Sequence, residues 1–170
     1  MYGNYTPEIE QYGIHSHLSS DESFGTVINR FIVQALIGTP LTIYGNGDQK
    51  RCFLALNDSV QCLELFVDNP PEDDEMRIVN QLDEVYNMNQ LAEKVVNVAY
   101  KQGIDVKVQH IDTPREENTD EFYYNPLTDT LKGLGFKQTR TIEDEIEFAF
   151  KYINRDTLEQ LKDVIMPKIK

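Results

Sequence analysis

Between Phe24 and Ile37 the residues Phe24, Val27, Ile28, Phe31, Ile32, Ala35 and Leu36 recur at three- and four-residue intervals, the spacing that lines up one face of an α-helix. Gly38 stands where the end of such a helix needs a left-handed residue. So continuous an apolar face has to lie against other elements. The next residues supply them: Leu41 to Tyr44 is a short β-prone run closed by the turn residues Gly45-Asn46-Gly47-Asp48, and Cys52 to Leu56 is a second apolar run. The expectation is a helix followed by two short strands around an exposed turn.

The remainder alternates in the same way. Asn57 is a candidate cap for a helix from Asp58 to Asn69 through Val60, Leu63, Leu65, Phe66 and Val67, stopped by Pro70-Pro71. Glu72 to Glu75 reads as a solvated loop. Met76 to Asn80 and Val85 to Met88 are strand candidates, and Asn89 is placed to cap a helix over Leu91, Val95, Val96, Val98 and Ala99 that ends at Gly103. Val106 to Ile111 alternates as a strand and runs into a polar connection containing Pro114 and Arg115. Two helices close the chain, Ile142 to Ile153 after Thr141 and Thr157 to Val164 after Asp156.

Met1 to Glu22 shows no periodicity and reads as an irregular lead-in. The pattern is α/β, or an α+β fragment, with about five strands, too few for a complete doubly wound sheet. The chain therefore reads as part of a larger fold, with residues 1–23 leading into one domain over 24–170.

At 170 residues the chain has the size of a single domain. Sixteen Lys plus Arg against 29 Asp plus Glu give a formal charge of -13, and such a field repels phosphate backbones and anionic membranes. Nucleic acid and membrane surfaces are thus not expected as partners. Against that background an anionic ligand needs a local pair of cations, for which Arg51 and Arg115 stand out. Cys52 and Cys62 form no CxxC pair and fit a reducing compartment. His15 and His17 have no nearby third ligand and His110 is no stronger a candidate, so no metal site is expected. No apolar run approaches the ~20 residues of a membrane span and the first residues lack a signal pattern, which gives an expectation of a cytoplasmic protein.

The stretch from Phe24 to Leu65 resembles the extended short-chain dehydrogenase/reductase family of NAD-dependent epimerases and dehydratases, particularly its UDP-sulfoquinovose synthase branch. The likeness lies in a helix, then Gly38-x-Pro40-Leu41-Thr42-Ile43-Tyr44-Gly45-x-Gly47, then Gln49-x-Arg51, an apolar run and Asn57-Asp58 before a helix. It continues through Arg77 to Gln81, the helix at Gln90 to Tyr100, Pro114-Arg115-Glu116-Glu117 with Tyr123-Tyr124-Asn125, and Leu131 to Phe136. Tyr2-Gly3 resembles the tyrosine-glycine pair that follows a late strand of the Rossmann domain in this branch. Cys52 and Ala55-Leu56-Asn57 depart from the family pattern.

The resemblance implies the C-terminal, nucleotide-sugar-binding part of such a fold, the NAD-binding Rossmann portion being absent. It places Thr42 and Tyr44 beside a uracil, Arg51 and Arg115 at a diphosphate, and Asn118 near a ribose, with Gln49 and Asn29 as further candidates. A planar guanidinium suits the diphosphate role, since it donates paired hydrogen bonds and keeps its charge. NAD is implied for the complete family enzyme and no cofactor for this chain alone. The partners implied are a UDP-sugar such as UDP-glucose, a separate Rossmann-domain chain, and a second copy in a homo-oligomer.

Gly45-Asn46-Gly47 is not a dinucleotide fingerprint, because it lacks a third glycine and leads into an apolar strand. None of the nine tyrosines has a lysine four residues later, so the pair that moves a proton during hydride transfer is absent. No catalytic residue is assigned. Two functions remain open: the nucleotide-sugar-binding part of a truncated or split enzyme, and a stand-alone, non-catalytic UDP-sugar-binding module.

Overall fold

Helix α2, Val27–Leu36, is enclosed on nearly every side: Ile28, Phe31, Ile32, Val33, Ala35 and even Gln34 are without solvent contact in the computed structural model, which describes residues 1–14, 26–112 and 126–153. Gly38 adopts φ 73°, a conformation that costs glycine little, and lets the Thr39 amide bond back to the Gln34 carbonyl at 2.9 Å. The chain thereby reverses into strand β1, Leu41–Tyr44. Gln34 fastens helix to strand: its Oε1 accepts from the Thr42 amide at 3.1 Å and its Nε2 donates to the Thr42 hydroxyl at 2.9 Å. A polar residue can occupy this core because both halves of its amide are satisfied.

Strand β1 pairs in parallel with β4, Val108–Ile111, in a register that sets Leu41 opposite Val108 and Tyr44 opposite Ile111. Between them lie β2 (Lys50–Phe53), α3 (Leu56–Asp68), β3 (Glu84–Asn87) and α4 (Met88–Lys101), with β2 and β3 forming a separate antiparallel pair. The helical crossover is what a parallel pair requires. Helix α4 buries Leu91, Ala92, Val95, Val98 and Ala99 against α2 and against α6, Ile142–Tyr152, whose Ile142, Ile146 and Ala149 complete the core. A smaller cluster joins Leu54 and Cys62 to Leu131 and Phe136, the first two from the β2–α3 region and the last two from around α5, Asp129–Gly133. Mixed helices with a parallel strand pair agree with the expected α/β class.

Several boundaries differ from the sequence-based reading. The lead-in is not wholly irregular: Thr6 caps a short helix α1, Pro7–Tyr12, and Tyr2 is a core residue whose backbone forms a parallel bridge with Ala55. Strand β2 falls at Lys50–Phe53, earlier than Cys52 to Leu56, because Ala55 already turns the chain into α3. Asn57 does not cap α3, which starts at Leu56, and its side-chain amide donates instead to the Thr139 hydroxyl. Residues 76–80 form no strand, and Met76 and Ile78 are exposed. The cap of α4 is Asn87 in a reciprocal box with Gln90, leaving Asn89 to bond the Asn46 carbonyl. Thr141 caps α6 as expected, through a box with Asp144. His15 and His17, the connection bearing Pro114 and Arg115, and the helix expected at Thr157 to Val164 lie outside the described residues.

One network holds the first residues to the rest. The Glu145 carboxylate, fully buried on α6, accepts from the amides of Asn4 and Tyr5 at 3.2 and 3.3 Å and from Arg140 Nε at 2.9 Å. Asp58, buried on α3, in turn accepts from the amide and hydroxyl of Thr139 and from the Arg140 amide.

Candidate functional site

The C-terminal end of the β1–β4 pair gathers most of the residues singled out between Thr42 and Arg51. Tyr44 ends β1 half-buried, and the turn behind it uses φ 63° at Gly45 and φ 80° at Gly47. This turn is fastened from three directions. Gly45 donates its amide to the Ile111 carbonyl at 2.9 Å, and its own carbonyl is 2.8 Å from His110 Nδ1, so β4 holds one side. Gln49 Nε2 donates to the Tyr44 carbonyl at 3.3 Å and closes the turn on itself. Helix α4 holds the far side: Met88 donates its amide to the Gly47 carbonyl at 2.9 Å and Asn89 Nδ2 reaches the Asn46 carbonyl at 2.9 Å. A Cβ at Gly47 would lie 2.6 Å from Asn89 Oδ1, so glycine is needed here for space as well as for conformation.

The individual side chains have different tasks. The Thr42 hydroxyl and amide are buried against Gln34 and its carbonyl accepts from Arg30, so this residue ties β1 to α2. Gln49 is buried and serves the turn. Arg51, two residues beyond Gln49 on β2, is exposed, and its Nη1 donates to the Lys50 carbonyl at 2.9 Å. Asn29 is buried on α2. Arg115 and Asn118 lie outside the described residues. Strand β4, which leads to them, delivers the chain at Ile111 and Asp112 to the same sheet end as Tyr44.

Two residues that the sequence reading does not assign to a nucleotide site belong to this corner. Arg30 on α2 donates Nη2 to the Thr42 carbonyl at 2.8 Å and sets its guanidinium 4.9 Å from the centroid of the Tyr44 ring. His110, which the sequence suggests only as a weak metal ligand, fastens the Gly45 turn. The sequence carries a signal for Arg30: Arg30 and Gln34 are polar one turn apart on a helix whose one other polar residue is Asn29, and both reach Thr42.

Away from this corner, Glu84 gathers two tyrosines in a structural group. Tyr2 and Tyr86 donate to the two oxygens of Glu84, at 2.9 and 2.7 Å, and burial first, then Glu84, pushes both phenols above the ordinary tyrosine range. Proton transfer at neutral pH needs the opposite shift. Among the described residues no group of three or more His, Cys, Asp or Glu side chains could hold a metal ion, and no helix is long and apolar enough to cross a membrane. The Gly45–Asp48 turn does not fit the NAD pyrophosphate. Its cradle is a glycine turn opening onto a helix N-terminus, whereas the turn at Gly45–Asp48 joins two strands and meets α4 with the Gly47 carbonyl.

Comparison with known proteins adds an independent finding. The profile of the NAD dependent epimerase/dehydratase family matches residues 11–88. Over 172 residues the chain is 38% identical to UDP-sulfoquinovose synthase of Sulfolobus acidocaldarius, covering 100% of this chain and 44% of that protein. It is 37% identical over 178 residues to the chloroplastic UDP-sulfoquinovose synthase of Spinacia oleracea, covering 99% of this chain and 36% of the relative. The chain thus spans less than half the length of these curated relatives. In fold it is similar to UDP-glucose 4-epimerase of Thermotoga maritima, solved with UDP-glucose, with a TM-score of 0.64 at 20% identity over 88% of this chain and 49% of the other.

Proposed function

This chain belongs to the NAD-dependent epimerase/dehydratase family, and we propose that it carries the nucleotide-sugar-binding part of a protein like UDP-sulfoquinovose synthase, taking a UDP-sugar at the Tyr44 end of the β1–β4 pair. The observation that carries this reading is the parallel register of β1 and β4. It brings the Tyr44–Gly45 turn and the chain leading to Arg115 to one sheet end, although the two segments are far apart in sequence. Arg115 follows Asp112 by three residues, so covalent reach alone keeps the two Cα atoms within about 11 Å.

In this reading Thr42 and Tyr44 flank the uracil, Arg51 and Arg115 contact the diphosphate, and Asn118 lies near the ribose. Gln49 contributes by keeping the turn closed. NAD supplies hydride chemistry in the complete family enzyme. The share of these residues is to bind and orient the nucleotide, and turnover by this chain alone is not expected. The same site would serve a stand-alone UDP-sugar-binding module.

Titrating the full chain with UDP-glucose by calorimetry tests the assignment. Losing one charge-assisted phosphate contact costs about 1.5–3 kcal/mol, or roughly ten- to a hundred-fold in affinity, and that loss is expected for both Arg51→Ala and Arg115→Ala. Absence of heat with the unmodified chain, or affinity in both variants equal to that of the unmodified chain, would refute the site.

A further inference from the structure

The Tyr44 ring does not stand at the strand end unsupported. Arg30 anchors itself by donating Nη2 to the Thr42 carbonyl at 2.8 Å, and its guanidinium lies 5.6 Å from the ring centroid of Phe31, which is fully buried on the same helix. From that position it stands 4.9 Å from the Tyr44 ring centroid. A guanidinium keeps its charge at any working pH and its flat face suits an aromatic face. The ring is therefore held from one face by an anchored cation.

We propose that Arg30 is a positioning residue that holds Tyr44 as a one-sided platform, so that the uracil of a UDP-sugar stacks on the ring face turned away from α2. The inference rests on the site proposed above and adds how it selects: a ring already fixed loses little rotational freedom when a flat base arrives. The ligand group addressed is the base rather than the phosphates. Arg30 is thereby distinguished from Arg51 and Arg115, whose role is charge.

The test is a double-mutant cycle on the full chain by calorimetry, with UDP-glucose as one probe and inorganic pyrophosphate as the other. Arg30→Met is expected to weaken UDP-glucose about tenfold, in the range of a partly desolvated cation–π contact, and to leave pyrophosphate affinity within about twofold. Tyr44→Leu should weaken UDP-glucose similarly, and the double variant should bind no more weakly than Tyr44→Leu, because Arg30 acts through the ring. Losses that multiply in the double variant, or a matching loss for pyrophosphate, overturn the proposal. If the unmodified chain does not bind UDP-glucose, the site reading falls and this inference with it; if it binds and Arg30→Met binds equally well, only the role of Arg30 falls. Thermal melts accompany each variant, and Arg30→Lys replaces Arg30→Met in the same cycle should the latter not fold.

Discussion

Replacing Gly3 by alanine should destabilise the protein far more than the same change at Gly13, although both glycines have positive φ, 83° and 60°. The left-handed conformation alone costs an alanine about 1–2 kcal/mol at either position. At Gly13 an added Cβ meets nothing within 4 Å, so the cost ends there. At Gly3 the Cβ would sit 2.7 Å from Glu145 Cδ and nearer still to Oε2. That carboxylate cannot step aside cheaply: it has no solvent contact and holds the Asn4 and Tyr5 amides and Arg140 Nε. Arg140 is itself braced by donating Nη2 to the Asp144 carbonyl and by lying 4.1 Å over the Tyr5 ring. Displacing Glu145 leaves at least one buried donor unsatisfied, at about 1–3 kcal/mol, which brings the total for Gly3→Ala to about 2–5 kcal/mol. Urea unfolding measures the difference. With a slope of about 1–3 kcal/mol per molar, an excess of about 2 kcal/mol moves the midpoint by roughly 1 M relative to Gly13→Ala, with the slope unchanged. Equal midpoints for the two variants would refute the claim that Glu145 is immovable.

Two further outcomes follow from buried groups. Burial, with the Asp58 charge as a lesser cause, pushes the Cys62 thiol up to about 11, whereas Cys52 is partly exposed. A thiol reagent at pH 8 should therefore modify one cysteine in the native chain and both after unfolding; two native thiols reacting at equal rates would contradict this. The sign of the pH effect is fixed by the raised value: the stability contributed by the neutral Cys62 thiol is whole below its unfolded pKa of about 8.5 and is lost as pH rises towards 11. Gln34→Leu removes both bonds to Thr42 and leaves its buried amide and hydroxyl unpartnered, so a loss of about 2–4 kcal/mol is expected in chemical denaturation, and a loss below about 1 kcal/mol would show that α2 and β1 are held by apolar packing alone.

What the sequence disclosed is what short-range physics decides. The core positions of α2, α4 and α6 follow from periodicity, and the box at Thr141 and Asp144 follows from spacing. The choice between Asn87 and Asn89 as the cap of α4 was also decidable: only Asn87 has a glutamine three residues on, at Gln90, and that reciprocal partner makes it the cap. Asn57 is a different case. Its amide is drawn to Thr139, and Asp58 beside it is taken up by Thr139 and Arg140, partners 81 or 82 residues away that no local rule can see. Met76 and Ile78 looked like strand residues because alternation was the only information available, yet they stay exposed without a neighbouring strand.

The candidate site divides along the same line. Thr42, Tyr44, Gln49 and Arg51 sit within one short stretch whose residue order carries the family resemblance, and the structure keeps Thr42, Tyr44 and Gln49 together at one sheet end. Resemblance alone could not apportion their tasks. The Thr42 hydroxyl accepts from the Gln34 side-chain amide and Gln49 donates to the Tyr44 carbonyl, because buried polar groups are satisfied by the nearest polar partner. Arg30 shows the converse. It lies on a helix read only for its apolar face, and comes to Tyr44 because Gly38 folds α2 back along β1. A charged residue tolerated on so enclosed a helix has to be doing something on the strand it meets, and the Thr42 carbonyl and Tyr44 ring are what it meets.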